Sequence, residues 1–570
     1  MNGAEYIASE LERRGVTHVF ELVGGMITFL IDAMHERTDM KVVSMHHEQG
    51  AGFAAEGYGR MRGMPGVAMA TSGPGATNLL TAIGSCFFDS TPAVFITGQV
   101  NRAEMKGTRA IRQLGFQETD IVAMAKPITK MSEIVMDPAS LPSAIDRAFR
   151  VAMEGRPGPV LLDVPMDVQR APIDDVGIRS SGADLANDLV DGFWRQFEQA
   201  LDRCRRPLIL AGGGIRAARA ADAFREVVGR LGVPVVHSLM GVDALAGRDP
   251  LRVGLIGSYG NRWANLAISE SDLLLVLGSR LDVRQTGSDT AEFRGSKAIF
   301  HVDCEAGEMN NRVTGCTTLR GELGPFLARM SEASVTRASC DAWMEHLGAL
   351  KAQWPDTGEL RDIEGINPNK LMHQISESAT HAVAFVTDVG QHQQWAAQSL
   401  RLGADQRFLT SGGMGAMGFA LPAAIGAALA CNRQAVVIAG DGGFQLNIQE
   451  LQTIVRLGLP VKMIVLDNAC HGMVRQFQQS YFKGRYHSTM WGYSAPDFER
   501  VASAYGITSA TVDDPGEVDA ALQSCFRDPA APYVLVAKIH PLANAYPKLA
   551  FGRPISQMEP HAQSIEMEGT

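Results

Sequence analysis

Apolar runs alternate with amphipathic stretches along most of the chain. Residues 5–14 carry apolar side chains at helical spacing, and Gly15 supplies a stop. Short β-rich runs follow at 16–20, 42–45, 67–70, 93–97 and 159–164. Strands that alternate with helical stretches predict a parallel sheet with ligands at the strand carboxyl ends. Residues 171–190 turn polar, with Pro172, Gly177 and a Ser-Ser-Gly run, and read as a linker. The alternation restarts at Pro207, where an apolar run enters Gly212-Gly213-Gly214, and continues through 272–277 and 298–303. Residues 330–365 read as a connecting helix and loop. A third round has strands at 382–388, 435–441 and 461–468. The predicted fold class is α/β, with three Rossmann-like, doubly wound parallel-sheet domains at 1–170, 190–330 and 366–545. Residues 546–570 form a C-terminal arm.

Composition narrows the function classes. A chain of 570 residues predicts about three to five domains. With 46% hydrophobic and 20% charged residues, a disordered chain is excluded. Lys plus Arg number 52 against 62 Asp plus Glu, so no basic stripe for nucleic acid is expected. No uninterrupted apolar run of about 18 residues suggests a membrane span. Residues 415–430 come closest, but three glycines and a proline make them a buried loop and helix. The eight cysteines form no Cys-x-x-Cys pair and no secretory signal opens the chain, which points to a cytoplasmic protein with reduced thiols. Glycine, at 59 residues without a collagen period, implies many tight turns and close backbone approaches to ligands.

The strongest chemical signal is Gly440-Asp441-Gly442 followed by Asn468. Apolar positions Leu446, Ile448, Leu451, Ile454 and Val455 predict a helix over 444–457, stopped by Gly458 and Pro460. Asp441 and Asn468 then end two parallel strands of one βαβ unit. Two oxygen donors side by side suit a hard divalent cation that shares substrate phosphates, and adjacent glycines let phosphate oxygens reach the backbone. A bare Gly-Asp-Gly also fits a simple turn. A second signal is Glu48, at a strand-to-helix junction amid small residues; a helix-start glutamate also serves as a cap or dipole partner. His46, His47, His471 and His487 have no metal-ligand spacing.

These motifs resemble those of the thiamine-diphosphate-dependent decarboxylases and carboligases, in their acetolactate synthase branch, over nearly the whole chain. The resemblance implies Mg²⁺ held by the side chains of Asp441 and Asn468 and the main-chain carbonyl of Cys470. It implies that Glu48 contacts the cofactor's pyrimidine ring and promotes loss of the thiazolium proton. Thr71–Asn78 resembles the turn that packs by the cofactor, and Gly390, Gln391 and His392 resemble its diphosphate grip. Gly415 and Met417 fall in the segment that holds the aminopyrimidine, though a methionine there also fits ordinary core packing. Gly442, Gly443, Gly472 and Met473 complete the expected cofactor contacts. Gln117 is expected at the reacting carbonyl, and His471 can face the substrate. The middle unit is similar to that branch's FAD domain at Gly257, Arg280, Asp282, Arg284 and Asp303; a unit that binds nothing, or an adenine nucleotide, is the alternative. The family places Glu48 of one chain against the metal half-site of another, implying a homodimer or homotetramer.

Three features depart from the branch. Phe477 stands where a tryptophan usually shapes the acceptor pocket. The loop with Lys106, Arg109 and Arg112 is more basic than usual, which fits either an anionic acceptor or a solvated loop. Val23 and Met166 replace a proline and a lysine. The expected activity is decarboxylation of a 2-oxo acid, pyruvate foremost, with two-carbon transfer to a carbonyl acceptor. The alternatives are acetyl transfer to a keto-sugar nucleotide and a flavin oxidoreductase like pyruvate oxidase.

Overall fold

Three six-stranded sheets, all of parallel pairs, carry the chain in sequence order. The computed structural model describes residues 1–173, 191–332 and 340–565. Most of the expected linker, part of the 330–365 connection and the last residues of the arm therefore lie outside the described residues.

The first sheet runs Lys41–Ser44, His18–Leu22, Gly66–Ala70, Ala93–Gln99, Pro159–Pro165, Met131–Ile134. The third repeats that order with Arg407–Thr410, Ala384–Thr387, Ala435–Gly440, Val461–Asp467, Tyr533–Lys538, Thr508–Val512. The middle sheet differs: Thr317–Arg320, Ala298–Asp303, Leu273–Leu277, Pro207–Ala211, Val235–His237, Arg252–Leu255. In each sheet the first strand in sequence has neighbours on both sides whose connections run opposite ways. That reversal opens a crevice at the strand carboxyl ends.

Two elements differ from the sequence pattern. The first strand starts at His18 rather than Val16, because Val16 belongs to the preceding helix's close. Gly15 is left-handed (φ 81°), and the Val16 amide donates to the Leu11 carbonyl. The single helix expected over 444–457 is broken into helix Asp441–Gln445, a 3₁₀ turn Ile448–Glu450 and helix Leu451–Leu457. Asn447 sits at the break. Its amide donates to the Gly418 carbonyl (2.7 Å) and to Gln49 Oε1 (3.1 Å), so it ties the turn to two other segments instead of continuing the helix.

The first and third units share one apolar core. Helices Glu48–Arg62 and Ala420–Cys431 cross at glycines: a Cβ on Gly57 would lie 2.2 Å from the Ala423 carbonyl oxygen, and one on Gly426 1.9 Å from that of Ala54. Phe53 and Phe419 meet edge to face at 5.4 Å. The middle unit is joined to the third by Asp243, which pairs with Arg407 (2.7 Å) and Arg216 (3.3 Å). From the C-terminal arm, a short antiparallel pair, Lys548–Leu549 with Met558–Glu559, returns to the middle unit, where Arg262 donates to the Met558 and Glu559 carbonyls.

Candidate active site

In the third sheet the order reverses at Ala384–Thr387, between Arg407–Thr410 and Ala435–Gly440. Segments leaving the carboxyl ends of adjacent strands converge there: 388–392, 441–443 and 468–473. Together with Met417 they line a cavity of about 360 Å³. Gly390, Gln391, His392, Gly442, Gly443, Gly472, Met473, Asp441, Asn468 and Cys470 all border it. Gly415 does not; left-handed at φ 69°, it turns the chain two residues before Met417.

Glycine is required around this cavity by close approach. A Cβ on Gly443 would fall 2.3 Å from Asp388 Oδ1, and one on Gly472 2.0 Å from Gln391 Oε1. Asp388 cannot give way, because its carboxylate accepts from the amides of Val389, Gly418 and Ala420. It thereby fixes the turn that follows Met417. Asn468 Nδ2 donates to Gln391 Oε1 (3.4 Å), Gln391 to Gln476 (3.0 Å), and Gln476 to the Ala545 carbonyl. The Cys470 thiol turns away to the Pro541 carbonyl.

The electrostatics suit a cation and a diphosphate. Burial, reinforced by the neighbouring Asp467, pushes Asp441 up to about 7. A metal ion at this oxygen set would supply the missing counter-charge. Burial holds His392 down at about 3, so its imidazole is neutral at ordinary pH, and its Nε2 is buried with no partner among the described residues. A phosphate oxygen fits that orphaned nitrogen. Sequence reasoning did not single out Tyr493, whose hydroxyl donates to Asp441 Oδ2 (3.0 Å). It lies in an irregular stretch where no periodicity or motif marks it. His471 borders the cavity and meets the Tyr493 ring at 4.4 Å.

Glu48 and Gln117 lie elsewhere. Among the described residues, none of the first unit lines the Asp441 cavity. Glu48 is buried at the start of its helix, at the first sheet's own reversal, and accepts from Asn78 Nδ2 (2.9 Å). The capping role is filled by His47, whose Nδ1 accepts the Gln49 amide, so the Glu48 carboxylate is not spent on it. A Cβ on Gly75 would meet Glu48 Oε1 at 3.3 Å, and one on Gly73 would meet Gln117 Cβ at 3.0 Å. Both side chains thus flank the 73–75 turn. Gln117 holds a left-handed backbone (φ 65°), uncommon for its type. Beside it Phe116 is 79% exposed.

The middle sheet reverses between Pro207–Ala211 and Leu273–Leu277, and a second cavity of about 360 Å³ opens there. Arg280, Asp282, Arg284 and Asp303 line it. Gly257 (φ 102°) lies beside it, packed against the Arg284 carbonyl. Asp282 pairs with Arg280 (3.0 Å) and caps the turn at Arg284 and Gln285. The first and third units close the cavity with Asp89 and the Gly412 and Gly413 amides that it accepts.

Comparison with known proteins agrees with this division. Three family models match: thiamine pyrophosphate enzyme, N-terminal TPP binding domain over 1–124, central domain over 195–330, and C-terminal TPP binding domain over 388–537. The acetolactate synthase large subunit of Parasynechococcus marenigrum (strain WH8102) is 37% identical across 98% of this chain and 91% of its own. Acetolactate synthase isozyme 2 large subunit of Escherichia coli (strain K12) is 37% identical across 98% and 99%. Chloroplastic acetolactate synthase 2 of Nicotiana tabacum is 37% identical across 94% and 81%.

Proposed function

The chain belongs to the thiamine pyrophosphate enzymes, in their acetolactate synthase branch, and from that premise we propose that it condenses two molecules of pyruvate to 2-acetolactate with loss of CO₂. The observation that carries the reading is the cavity at the third sheet's reversal, where Asp441 and Asn468 stand beside a glycine cradle and the orphaned His392 nitrogen. The side chains of Asp441 and Asn468, with the Cys470 carbonyl, would hold Mg²⁺, and Gly390, Gln391 and His392 would hold the diphosphate. Thiamine diphosphate, when bound, supplies the nucleophilic carbon and the electron sink that decarboxylation needs.

The protein's own part is placement and proton handling. Met417 would support the cofactor, Glu48 would hold a proton against its pyrimidine ring, and Gln117 would orient the substrate carbonyl. Because Glu48 and Gln117 stand apart from the Asp441 cavity, a second copy of the chain completes each site, in a homodimer or homotetramer. Arg280 and Arg284 in the middle cavity would take the phosphates of FAD. We read the protein as cytoplasmic; among the described residues no helix is long and apolar enough to cross a membrane.

The test is product analysis. With thiamine diphosphate, Mg²⁺, FAD and pyruvate as the sole substrate, 2-acetolactate and CO₂ should form together. One observation favours a second reading: Arg109 and Arg112 are exposed, Lys106 beside them is half-buried, and among the described residues none of the three forms a side-chain salt bridge. No product until a keto-sugar nucleotide is added would replace pyruvate by that anionic acceptor.

A further inference from the structure

Arg252 opens the edge strand of the middle sheet, away from all three crevices. Its Nε and Nη2 are buried, and among the described residues its guanidinium makes no hydrogen bond or ion pair. Burial alone pushes it down to about 10; no carboxylate offsets the effect. A buried charge left without a partner is strongly unfavourable.

The cavity it faces has about 410 Å³ and is also lined by Arg248, Lys351 and Arg401. Arg248 is already paired with Glu377 (2.5 Å). Lys351 and Arg401 are exposed at the rim; partial desolvation and then Arg252 push Lys351 down, Asp356 opposes them, and Arg401 adds to the fall. The Lys351 ammonium lies 5.6 Å from the Trp263 ring centroid, which fixes its stem over the cavity wall. The lone acid of the lining, Asp249, accepts the Leu251 amide. Three cations thus converge on one concave space whose lining holds a single carboxylate, Asp249.

We propose that this cavity binds the phosphate group of a small phosphorylated molecule, with Arg252 at the floor and Lys351 and Arg401 at the rim. A carboxylate carries one charge, whereas a phosphate monoester approaches two and offers the guanidinium fork two oxygens at once. The volume leaves room for an organic part beyond the phosphate. The site is coupled to the third unit: the Gly247 amide at its edge donates to the Leu402 carbonyl (2.7 Å). Leu402 lies just beyond the helix Gln391–Ser399, whose first turn carries Gln391 and His392.

The test uses the full chain saturated with thiamine diphosphate, Mg²⁺ and FAD, so that the other anion cradles are filled, and titrates inorganic phosphate calorimetrically at fixed ionic strength. Saturable binding at about 1 mM or tighter is expected. Arg252→Met and Lys351→Gln should each weaken it by at least about tenfold. Lys41→Gln, an exposed lysine of the first unit outside the cavity lining, should leave it unchanged. Lys351→Gln is a rim change, so it decides the matter even where Arg252→Met fails to fold. Absence of saturable binding, or variants that bind phosphate as the unchanged protein does, would overturn the site. Acetate binding as tightly as phosphate would overturn the assignment of its ligand.

Discussion

Asp163 shows how a single buried group acts on the whole protein's response to acid. It sits in strand Pro159–Pro165, 1% exposed, and accepts from Thr97 Oγ1 (2.7 Å) and Gln99 Nε2 (2.9 Å). Burial outweighs those bonds and raises it to about 6, against about 3.9 in an unfolded chain. Between those values the folded protein keeps a proton that the unfolded chain has lost. Its contribution therefore favours folding below about pH 4, falls as pH rises, and levels off above about pH 6. Asp163→Asn should remove that slope and gain stability on the order of 2 kcal/mol at neutral pH. Urea midpoints of the two proteins from acid to neutral pH check it; parallel curves would refute the raised value. At this scale the sequence was informative where chemistry sets residue type. Asp441, Asn468 and the glycines of 440–443 mark themselves by spacing. Asp163, Tyr493 and Arg252 do not, because what distinguishes each is the burial and partners that only tertiary structure supplies.

Among elements, the crossing of helices Glu48–Arg62 and Ala420–Cys431 joins two units through backbone contact. Gly57→Ala would drive a methyl into the Ala423 carbonyl, and neither helix can retreat without opening the core around Phe53 and Phe419. A loss of about 1–3 kcal/mol is expected. Gly229 is the opposite case: it lies inside helix Ala221–Leu231 with nothing near its missing Cβ. Gly229→Ala should stabilise by about 0.4–1 kcal/mol, by restricting the unfolded chain. Thermal midpoints moving in opposite directions would verify the pair; two equal falls would contradict it. The central strands were legible because apolar β-rich runs buried on both faces read directly, whereas short Val235–His237 and Arg407–Thr410 were not. The broken helix at Asn447 was not, since its apolar spacing is intact on either side and a long-range amide interaction ends it. Edge strand Met131–Ile134 escaped notice for a related reason: it is half-buried, so it lacks an unbroken apolar run.

In the whole molecule, the same strand order in the first and third sheets gives two similar crevices, each of which would hold half of the proposed chemistry. Glu48 and Gln117 belong to one, Asp441 and Asn468 to the other, and among the described residues the Asp441 cavity takes no side chain from the first unit. Both halves are rimmed by exposed apolar groups: Val23 (60%) and Phe116 (79%) on the first, Val474 (53%) and Phe477 (46%) on the third. Such surfaces suit burial against another copy. If each site joins the first unit of one chain to the third unit of its partner, two inactive chains can complement each other. Glu48→Gln and Asn468→Ala should each fall by about 100-fold or more alone. In an assembly formed from equal amounts of the two, half the pairings are mixed. Each mixed pair holds one doubly altered site and one intact site, so activity should return to about a quarter of the unaltered protein's. Sites built within one chain would leave every site with one defect and no recovery at all. The turnover of co-expressed, separately tagged chains distinguishes these outcomes, and recovery would place the first and third units of different chains face to face across the cofactor.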